Sequence, residues 1–311
     1  MYSIVFPGQG SQSVGMSLDF CERYPAAREV FAEADEAFGG GLAKRIAEGP
    51  EAELRRTQVT QPAILTASIA VFRALEAQLP APPAVFAGHS LGEYTALVAA
   101  GALGLADAVR LVRRRGALMQ QAVPEGEGAM AAILGLDPES VARVCAGVDA
   151  LVAPANFNTP VQTVIAGRAA AVAEAGEALA AAGAKRVVPL DVSAPFHCPL
   201  MAPAAENLTP LLAETGFGEA RIPVISNVTA EPYRSADDAR RLLREQVCAP
   251  VRWVDGVKRQ LQQGVTLQLE LGPGKVLSGM AARIERGLGR ANVERVDDVD
   301  KALGAVAEAC A

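Results

Sequence analysis

The chain has 311 residues and half of them are apolar, which is enough to bury the core of one large domain or two modest ones. Charged residues make up 21% of the chain and the net charge is −6, so no basic excess favours a nucleic-acid-binding protein. No apolar run reaches the ~18 residues that a membrane-spanning helix needs. Residues 1–6 lack the basic start of a signal peptide, and five scattered cysteines without a Cys-x-x-Cys pair indicate reduced thiols. We therefore expect a cytoplasmic protein that binds neither nucleic acid nor a membrane.

Strands and helices are predicted in alternation at both ends of the chain. Each predicted strand is a short apolar run bounded by glycine or proline, and each predicted helix repeats apolar residues at intervals of three and four. In chain order the pattern predicts a strand at 4–6, helices at 26–37 and 62–77, a strand at 84–87 with a helix to Gly101, a helix at 106–123, a strand at 265–271, a helix from Lys275, a strand at 293–296 and a helix at 300–309. This alternation indicates a parallel sheet covered by helices on both faces.

The middle of the chain follows a different order. After the glycine-rich segment 124–128, the pattern predicts a strand at 129–134, a helix at 137–145, strands at 151–155 and 161–166 around a turn at 156–160, a helix at 169–182 and a strand at 185–192. This β-α-β-β-α-β order is that of a ferredoxin-like unit. The sequence thus predicts an α/β protein in which a ferredoxin-like subdomain, 125–192, is inserted into a large domain formed by 1–124 and 193–311.

A glycine-serine motif lies between the predicted strand at 84–87 and the helix that follows it. Gly88-His-Ser-Leu-Gly92 matches G-x-S-x-G, in which a sharp turn leaves the serine hydroxyl exposed. A strand before the serine and a helix after it are the context that this motif requires. The alternative interpretation is a glycine-rich turn with an inert serine.

An activated serine needs a base, and the chain has two histidines. His89 adjoins the serine on a tight turn, where neighbouring side chains point apart. His197 therefore remains as the candidate base, in the loop after the last strand of the small unit, unless it is a structural loop histidine. No residue stands out as the group that orients it: Asp191, Asp255 and Glu270 are equally weak candidates.

Arg115 is predicted to lie on an apolar helix face. At about 100° per residue, it falls in the middle of the apolar stripe of the helix at 106–123. Arg110, Arg113 and Arg114 project from the opposite side, as a solvated face or alternatively a basic docking patch. Because an unpaired buried guanidinium costs about 3–5 kcal/mol, Arg115 needs an anionic partner. That partner is either a structural Asp or Glu, or a substrate carboxylate held by two parallel hydrogen bonds.

The glycine-rich turn at 8–12 follows the first predicted strand. Its glycines let the backbone approach a ligand, so the N–H groups of Gln9 and of Leu91, just after the serine, are candidate donors to an oxyanion. Neither this turn nor Gly272-Pro-Gly-Lys275 has the spacing of a phosphate-binding P-loop, which disfavours nucleotide hydrolysis.

Together these motifs resemble those of a known family. In order along the chain occur Phe6-Pro-Gly-Gln-Gly-Ser-Gln12, Gln61-Pro62, Gly88-His-Ser-Leu-Gly-Glu93, Arg115-Gly116, Asn156-Phe-Asn158, His197 and Glu270-Leu-Gly-Pro-Gly274. Over essentially the whole chain, the pattern is similar to that of malonyl-CoA:acyl carrier protein transacylases, from bacterial fatty-acid synthesis or free-standing in polyketide synthesis. The resemblance implies a hydrolase-like parallel-sheet core with an inserted ferredoxin-like subdomain.

The resemblance also implies catalytic roles. Ser90 would be acylated, and His197 would act first as general base and then as general acid. The backbone N–H groups of Gln9 and Leu91 would form the oxyanion hole. The backbone carbonyl of Gln246 would orient the histidine in place of an aspartate, which would explain why no acid stands out in the sequence.

On the substrate side, the resemblance implies that Arg115 binds the malonyl carboxylate and that Gln61 and Asn158 line the pocket. Phe196, before the histidine, matches malonyl-selective polyketide acyltransferases rather than the many fatty-acid enzymes that have serine there. It would crowd a methyl branch, although one methyl group discriminates by only ~1–3 kcal/mol. The implied reaction is ping-pong transfer from malonyl-CoA to the phosphopantetheine thiol of acyl carrier protein, and we expect a monomer with no bound metal or cofactor.

Two other classes of protein fit parts of the pattern. A serine hydrolase, such as an acyl-carrier-protein acyl hydrolase, would use the same serine and histidine with water as the acceptor. Arg115 argues against it, since a hydrolase for uncharged acyl groups has no use for a buried cation. A non-catalytic scaffold or carrier-docking protein would not need Ser90 and His197.

Overall fold

One parallel and one antiparallel sheet organise the chain, whose structure is a computed structural model that describes residues 1–192 and 194–311. The strands are β1 Tyr2–Phe6, β2 Val85–Gly88, β3 Gly128–Leu134, β4 Val152–Thr159, β5 Gln162–Arg168, β6 Arg186–Pro189, β7 Leu267–Leu271 and β8 Gly289–Val293. The helices are α1 Leu18–Arg23, α2 Pro25–Phe38, α3 Leu42–Glu48, α4 Glu51–Leu54, α5 Thr57–Leu75, α6 Leu91–Ala99, α7 Leu105–Gln121, α8 Pro138–Ala146, α9 Ala169–Ala181, α10 Ala202–Glu214, α11 Ala236–Gln246, α12 Trp253–Gln262, α13 Val276–Ile284 and α14 Val299–Cys310. In the described ranges, no helix is long and apolar enough to cross a membrane.

The parallel sheet has the strand order β2-β1-β7-β8. Strands β1, β2 and β7 are buried at every residue, as expected where both faces of a parallel sheet are covered. The carboxyl ends of β1 and β2 lie side by side, with Phe6 opposite Gly88. The glycine-rich turn at 8–12 and the serine turn therefore start from the same edge of the sheet, where α/β proteins bind their ligands.

The small sheet is antiparallel and has the order β4-β5-β3-β6. Helices α8 and α9 pack on it through a separate apolar cluster that includes Val141 and Leu179. The chain order β3-α8-β4-β5-α9-β6 confirms the ferredoxin-like prediction. The strands span 128–189, inside the predicted insertion 125–192. The domain boundaries stay a prediction, and Ser193, where the second part of the large domain would begin, lies outside the described residues.

Edge strand β4 connects the small sheet to the rest of the chain. The N–H of Phe157 donates to the carbonyl of Val251, and the N–H of Val251 donates to the carbonyl of Ala155, both at 2.9 Å. Val251 lies between α11 and α12. These two hydrogen bonds bring β4, with Asn156 and Asn158, close to the carboxyl edge of the parallel sheet.

Several predicted elements are displaced, and long-range contacts explain each case. The turn expected at 156–160 covers only 160–161, because β4 pairs with β5 as far as Thr159 and with Val251 at Asn156. Strand β8 ends at Val293, where the predicted strand at 293–296 begins. It has no apolar run that would mark it in the sequence, because an edge strand with one neighbouring strand does not need one. Helix α5 begins at Thr57 and contains Pro62, because burial of nearly the whole helix outweighs the ~3 kcal/mol cost of an internal proline. The sequence pattern does not predict helices α1, α3, α4, α10, α11 and α12.

Gly92 lies where α6 passes closest to β1. A Cβ there would overlap the backbone carbonyl of Phe6, whereas a Cβ at exposed Gly304 in α14 would meet no atom within 4 Å. We expect Gly92→Ala to destabilise the protein by about 3 kcal/mol through overpacking. Gly304→Ala should instead stabilise it by up to about 1 kcal/mol, through helix propensity. Urea unfolding measures both, and an unchanged midpoint for Gly92→Ala would contradict the close approach.

Candidate active site

Ser90 occupies a strained turn between β2 and α6. Its φ of 52° and ψ of −104° are rarely adopted by residues with a side chain. Gly88 and Gly92 make the turn possible, because a Cβ on Gly88 would overlap the Gly92 backbone. The Ser90 N–H donates to Asn227 Oδ1 at 2.7 Å, and its carbonyl accepts from Gln246 Nε2 at 3.1 Å. The side chain therefore points into a cavity from the N-terminus of α6, as the G-x-S-x-G pattern predicts.

His197 lies between the serine and a backbone carbonyl. Its Nε2 is 2.7 Å from Ser90 Oγ, and its Nδ1 is 2.8 Å from the carbonyl oxygen of Gln246. Because a carbonyl can only accept, Nδ1 carries the proton and the Nε2 lone pair faces the serine hydroxyl. Burial, and then the positive charge of Arg115, lower the pKa of His197 to about 3. The imidazole is therefore neutral near pH 7 and able to accept the serine proton.

None of the three acids considered from the sequence reaches this histidine. The Asp191 side chain is almost fully exposed and lies 3.6 Å from Arg55. Asp255 pairs with Arg252, three residues before it. Glu270 accepts hydrogen bonds from the first residues of α13. Over the part of the chain that the structure describes, no group of three His, Cys, Asp or Glu side chains is placed to hold a metal ion.

Arg115 is 1% exposed, as its place on the apolar stripe predicts. One terminal nitrogen donates to Gln61 Oε1 at 2.7 Å, and the other donates to Ser90 Oγ at 3.2 Å and Gln246 Oε1 at 2.8 Å. The guanidinium also lies 5.3 Å from the ring centroid of Tyr94. Among the described residues no carboxylate is within ion-pair distance, so this cation has no direct structural Asp or Glu partner.

The serine, histidine and arginine lie in the wall of one cavity of about 130 Å³. Its lining residues are Gln9, Gln61, His89, Ser90, Leu91, Arg115, Met119, Met130, Asn156, Leu190, Val192, Phe196 and His197. The cavity combines a cation with apolar walls, so it suits a small group with one anionic end. Arg110, Arg113 and Arg114 are exposed on the other side of α7.

The two predicted oxyanion-hole residues lie in the wall, whereas Asn158 lies behind it. Gln9 and Leu91 line the cavity, and Leu91 begins α6, where backbone N–H groups have no partner within the helix. Asn158, expected as a lining residue, instead meets His89 Nε2 through its Oδ1 at 2.9 Å. Asn156, two residues earlier on β4, lies in the wall instead.

The family model described as the acyl transferase domain matches residues 3–299 of the chain. The chain belongs to this family. The malonyl CoA-acyl carrier protein transacylase of Escherichia coli (strain K12) is 51% identical over 285 residues, which cover 91% of this chain and 92% of that protein. The malonyl CoA-acyl carrier protein transacylase of Bacillus subtilis (strain 168) is 46% identical over 309 residues, which cover 98% of this chain and 97% of that protein.

Solved structures of acyltransferases have the same fold. A malonyl-transacylase in complex with its type II PKS acyl-carrier protein matches with a TM-score of 0.95 at 47% identity, over 97% of this chain and 99% of that chain. The malonyl CoA-acyl carrier protein transacylase of Coxiella burnetii matches with a TM-score of 0.96 at 41% identity, over 98% of this chain and 97% of that chain. These comparisons confirm the predicted fold class, the family resemblance and the enzyme class, an acyltransferase.

Sequence reasoning missed three residues that surround the acyltransferase site. Fully buried Glu93 accepts hydrogen bonds from the Asn227 N–H at 2.9 Å, from Gln246 Nε2 at 2.7 Å and from the Tyr233 hydroxyl. Burial raises the pKa of Glu93 to about 7, although these donors oppose the shift. A lone acid in the otherwise uncharged helix α6 is a signal for Glu93. Asn227 and Tyr233 have no such signal, since they lie in an irregular segment.

Proposed function

We propose that this acyltransferase transfers a malonyl group from malonyl-CoA to the phosphopantetheine thiol of an acyl carrier protein, through an ester on Ser90. The observation that carries the proposal is the buried Arg115 guanidinium, which lies 3.2 Å from Ser90 Oγ and forms no ion pair with a carboxylate among the described residues. The names of the relatives and of the matching structures support the choice of donor and acceptor.

In the first half-reaction, the Ser90 hydroxyl gives its proton to His197 Nε2 while Oγ bonds to the thioester carbonyl carbon. The Gln246 carbonyl accepts from Nδ1–H and stabilises the imidazolium. The N–H groups of Gln9 and Leu91, which line the cavity, would donate to the oxyanion, and one such donor contributes about 2.7–4 kcal/mol in comparable enzymes. Collapse of the tetrahedral intermediate breaks the C–S bond, and His197 returns its proton to the departing CoA thiolate.

The second half-reaction reverses these steps with another thiol. The carrier's phosphopantetheine thiol gives its proton to neutral His197, and its sulfur bonds to the carbonyl carbon of the ester. The C–O bond then breaks, and the proton passes from His197 to Ser90 Oγ. The enzyme returns to its resting state with the malonyl group on the carrier.

Arg115 would distinguish malonyl from uncharged acyl groups. Its two terminal nitrogens carry four hydrogens, of which three are used in the resting site. When Ser90 becomes an ester, its bond to the guanidinium is released, so two N–H groups are open to the malonyl carboxylate. Phe196 in the cavity wall would disfavour a methyl branch by ~1–3 kcal/mol.

A serine hydrolase would use the same Ser90–His197 pair with water as acceptor. The buried guanidinium argues against a hydrolase for uncharged acyl groups, because burying an unpaired cation costs about 3–5 kcal/mol without helping such a substrate. The carrier thiol is therefore the acceptor that we propose.

Intact-protein mass tests the proposed function. After brief exposure to malonyl-CoA, we expect one malonyl adduct that survives in water and leaves only when phosphopantetheinylated carrier protein is added. Acetyl-CoA should form its adduct much more slowly. An adduct that decays without the carrier would indicate a hydrolase, and one that forms as readily from acetyl-CoA would indicate a broad acyltransferase.

A further inference from the structure

Glu93 lies behind the cavity and does not line it. Its carboxylate is fully buried and holds two amides, the Asn227 backbone and the Gln246 side chain, on one oxygen, while Tyr233 donates to the other. Because the Glu93 side chain does not line the cavity, the influence of its carboxylate on the reaction has to pass through these partners.

The side chains of the two residues that Glu93 holds, Asn227 and Gln246, both hydrogen-bond to the backbone of Ser90. Asn227 Oδ1 accepts from the Ser90 N–H at 2.7 Å, while its Nδ2 donates to the Gly88 carbonyl at 2.7 Å. Gln246 Nε2 donates to the Ser90 carbonyl at 3.1 Å. The two backbone polar groups of the strained residue are therefore both held by side chains anchored on Glu93.

Gln246 also connects Glu93 to Arg115. Its Nε2 faces the Glu93 carboxylate at 2.7 Å, so its Oε1 is the end that faces the guanidinium at 2.8 Å. A flipped amide would place its NH₂ against the guanidinium N–H groups and its oxygen against the Glu93 carboxylate, so both hydrogen bonds would be lost. Glu93 therefore fixes which end of Gln246 meets the cation.

The charge of Glu93 balances Arg115 from a distance. Arg115 has no direct carboxylate partner in the described part of the chain, and Glu93 is the buried carboxylate one amide away. The negative charge favours the charged form of the guanidinium, against the desolvation that lowers its pKa. Because Gln246 separates the two charges, the guanidinium keeps N–H groups free for a substrate.

We propose that Glu93 is a positioning residue. Through Asn227 and Gln246 it fixes the Ser90 turn and orients Arg115. Its negative charge balances the guanidinium without using the N–H groups that the substrate needs. The inference rests on the proposed function, and it assigns to this site a residue that lies behind the cavity wall.

Glu93→Gln tests the proposal, with Glu270→Gln as its matched control. Glu270 is equally buried and accepts three hydrogen bonds, but from Leu277 and Ser278 at the start of α13. A glutamine at 93 removes the negative charge and replaces one of the two acceptor oxygens with an NH₂ group. We expect acylation by malonyl-CoA to fall about 100-fold in Glu93→Gln and less than about threefold in Glu270→Gln, because small misplacements of reacting groups have such effects.

Labelling of Ser90 by a fluorophosphonate separates this inference from the proposed function, because the probe requires no malonyl recognition. We expect Glu93→Gln to slow labelling about tenfold relative to Glu270→Gln, since the serine turn loses its support. Labelling and malonyl acylation both within about threefold of Glu270→Gln would overturn the role of Glu93. A wild-type protein that is labelled but forms no malonyl adduct would overturn the proposed function instead, and the labelling comparison would still decide the role of Glu93.

Tyr233→Phe keeps the carboxyl group at position 93 and provides a second test if Glu93→Gln fails to fold. Burial raises the pKa of Glu93 to about 7, and the Tyr233 hydroxyl opposes this shift, so its removal raises the pKa further. The other titratable groups near Glu93 are Tyr94, whose pKa burial raises to about 12, His197, whose pKa burial lowers to about 3, and Arg115, since a guanidinium stays protonated in proteins. We expect the acid limb of malonyl acylation to move to higher pH in Tyr233→Phe. An unmoved limb would overturn the role of the Glu93 carboxylate.

Discussion

Ser90→Ala is expected to lower acylation by malonyl-CoA at least about 10⁴-fold, the scale of loss seen when a serine nucleophile is removed. The variant lacks the oxygen that forms the ester and that lies 2.7 Å from His197 Nε2. The fold should persist, because Asn227 and Gln246 hold the backbone of residue 90 rather than its side chain. Intact-protein mass after malonyl-CoA exposure measures the loss, and thermal unfolding measures the fold.

Ser140→Ala is the matched control for the loss of one serine hydroxyl. Ser140 lies in the first turn of α8, where its hydroxyl bonds to Asp137 and to no residue of the cavity. Its acylation by malonyl-CoA should equal that of the wild type. A malonyl adduct on Ser90→Ala at the wild-type rate would show that the acyl group is carried elsewhere.

Arg115→Ala is expected to reduce acylation by malonyl-CoA about 10³-fold and acylation by acetyl-CoA less than about tenfold. Two charge-assisted hydrogen bonds to the malonyl carboxylate, each contributing about 1.5–3 kcal/mol, are lost with the guanidinium. Acetyl has no carboxylate, so it loses only the packing and the order that Arg115 gives to Gln61 and Gln246. Initial acylation rates with the two CoA esters give the ratio directly.

Arg114→Ala removes a neighbouring guanidinium from the exposed side of the same helix. Its ratio of acylation rates with malonyl-CoA and acetyl-CoA should match that of the wild type. The variant thus controls for any general effect of losing one positive charge. Equal rate losses for both CoA esters in Arg115→Ala would detach Arg115 from the malonyl carboxylate.

Much of the architecture follows from short-range patterns in the sequence. The strand at 85–88 is a short apolar run next to glycines, and the close approach of Gly92 to Phe6 requires glycine at that point. Arg115 could be placed by helical angle alone, because seventeen residues of α7 keep one regular periodicity. His197 was reached by elimination between two histidines, and the structure places its ring 2.7 Å from Ser90 Oγ.

The rest of the site depends on contacts between distant parts of the chain. Asn227 is 137 residues from Ser90, and its segment shows no periodic pattern. Gln246 orients His197 through a backbone carbonyl, which every residue type has, so only the family resemblance pointed to it. Asn156 and Asn158 have turn propensity, yet they lie in β4 because pairing with β5 and with Val251 satisfies their backbone. Propensity describes a local preference, and these contacts override it.

The hydrogen bonds between β4 and Val251 set a limit on how parts of such enzymes can be exchanged. Val251 follows Gln246 by five residues, so one short stretch of chain both holds the edge of the small sheet and supplies the carbonyl that orients His197. A chimaera that received the small sheet of a relative without the matching residues 246–251 would join two surfaces that had not been selected together. Recombination at the ends of the predicted insertion alone would therefore disturb the histidine.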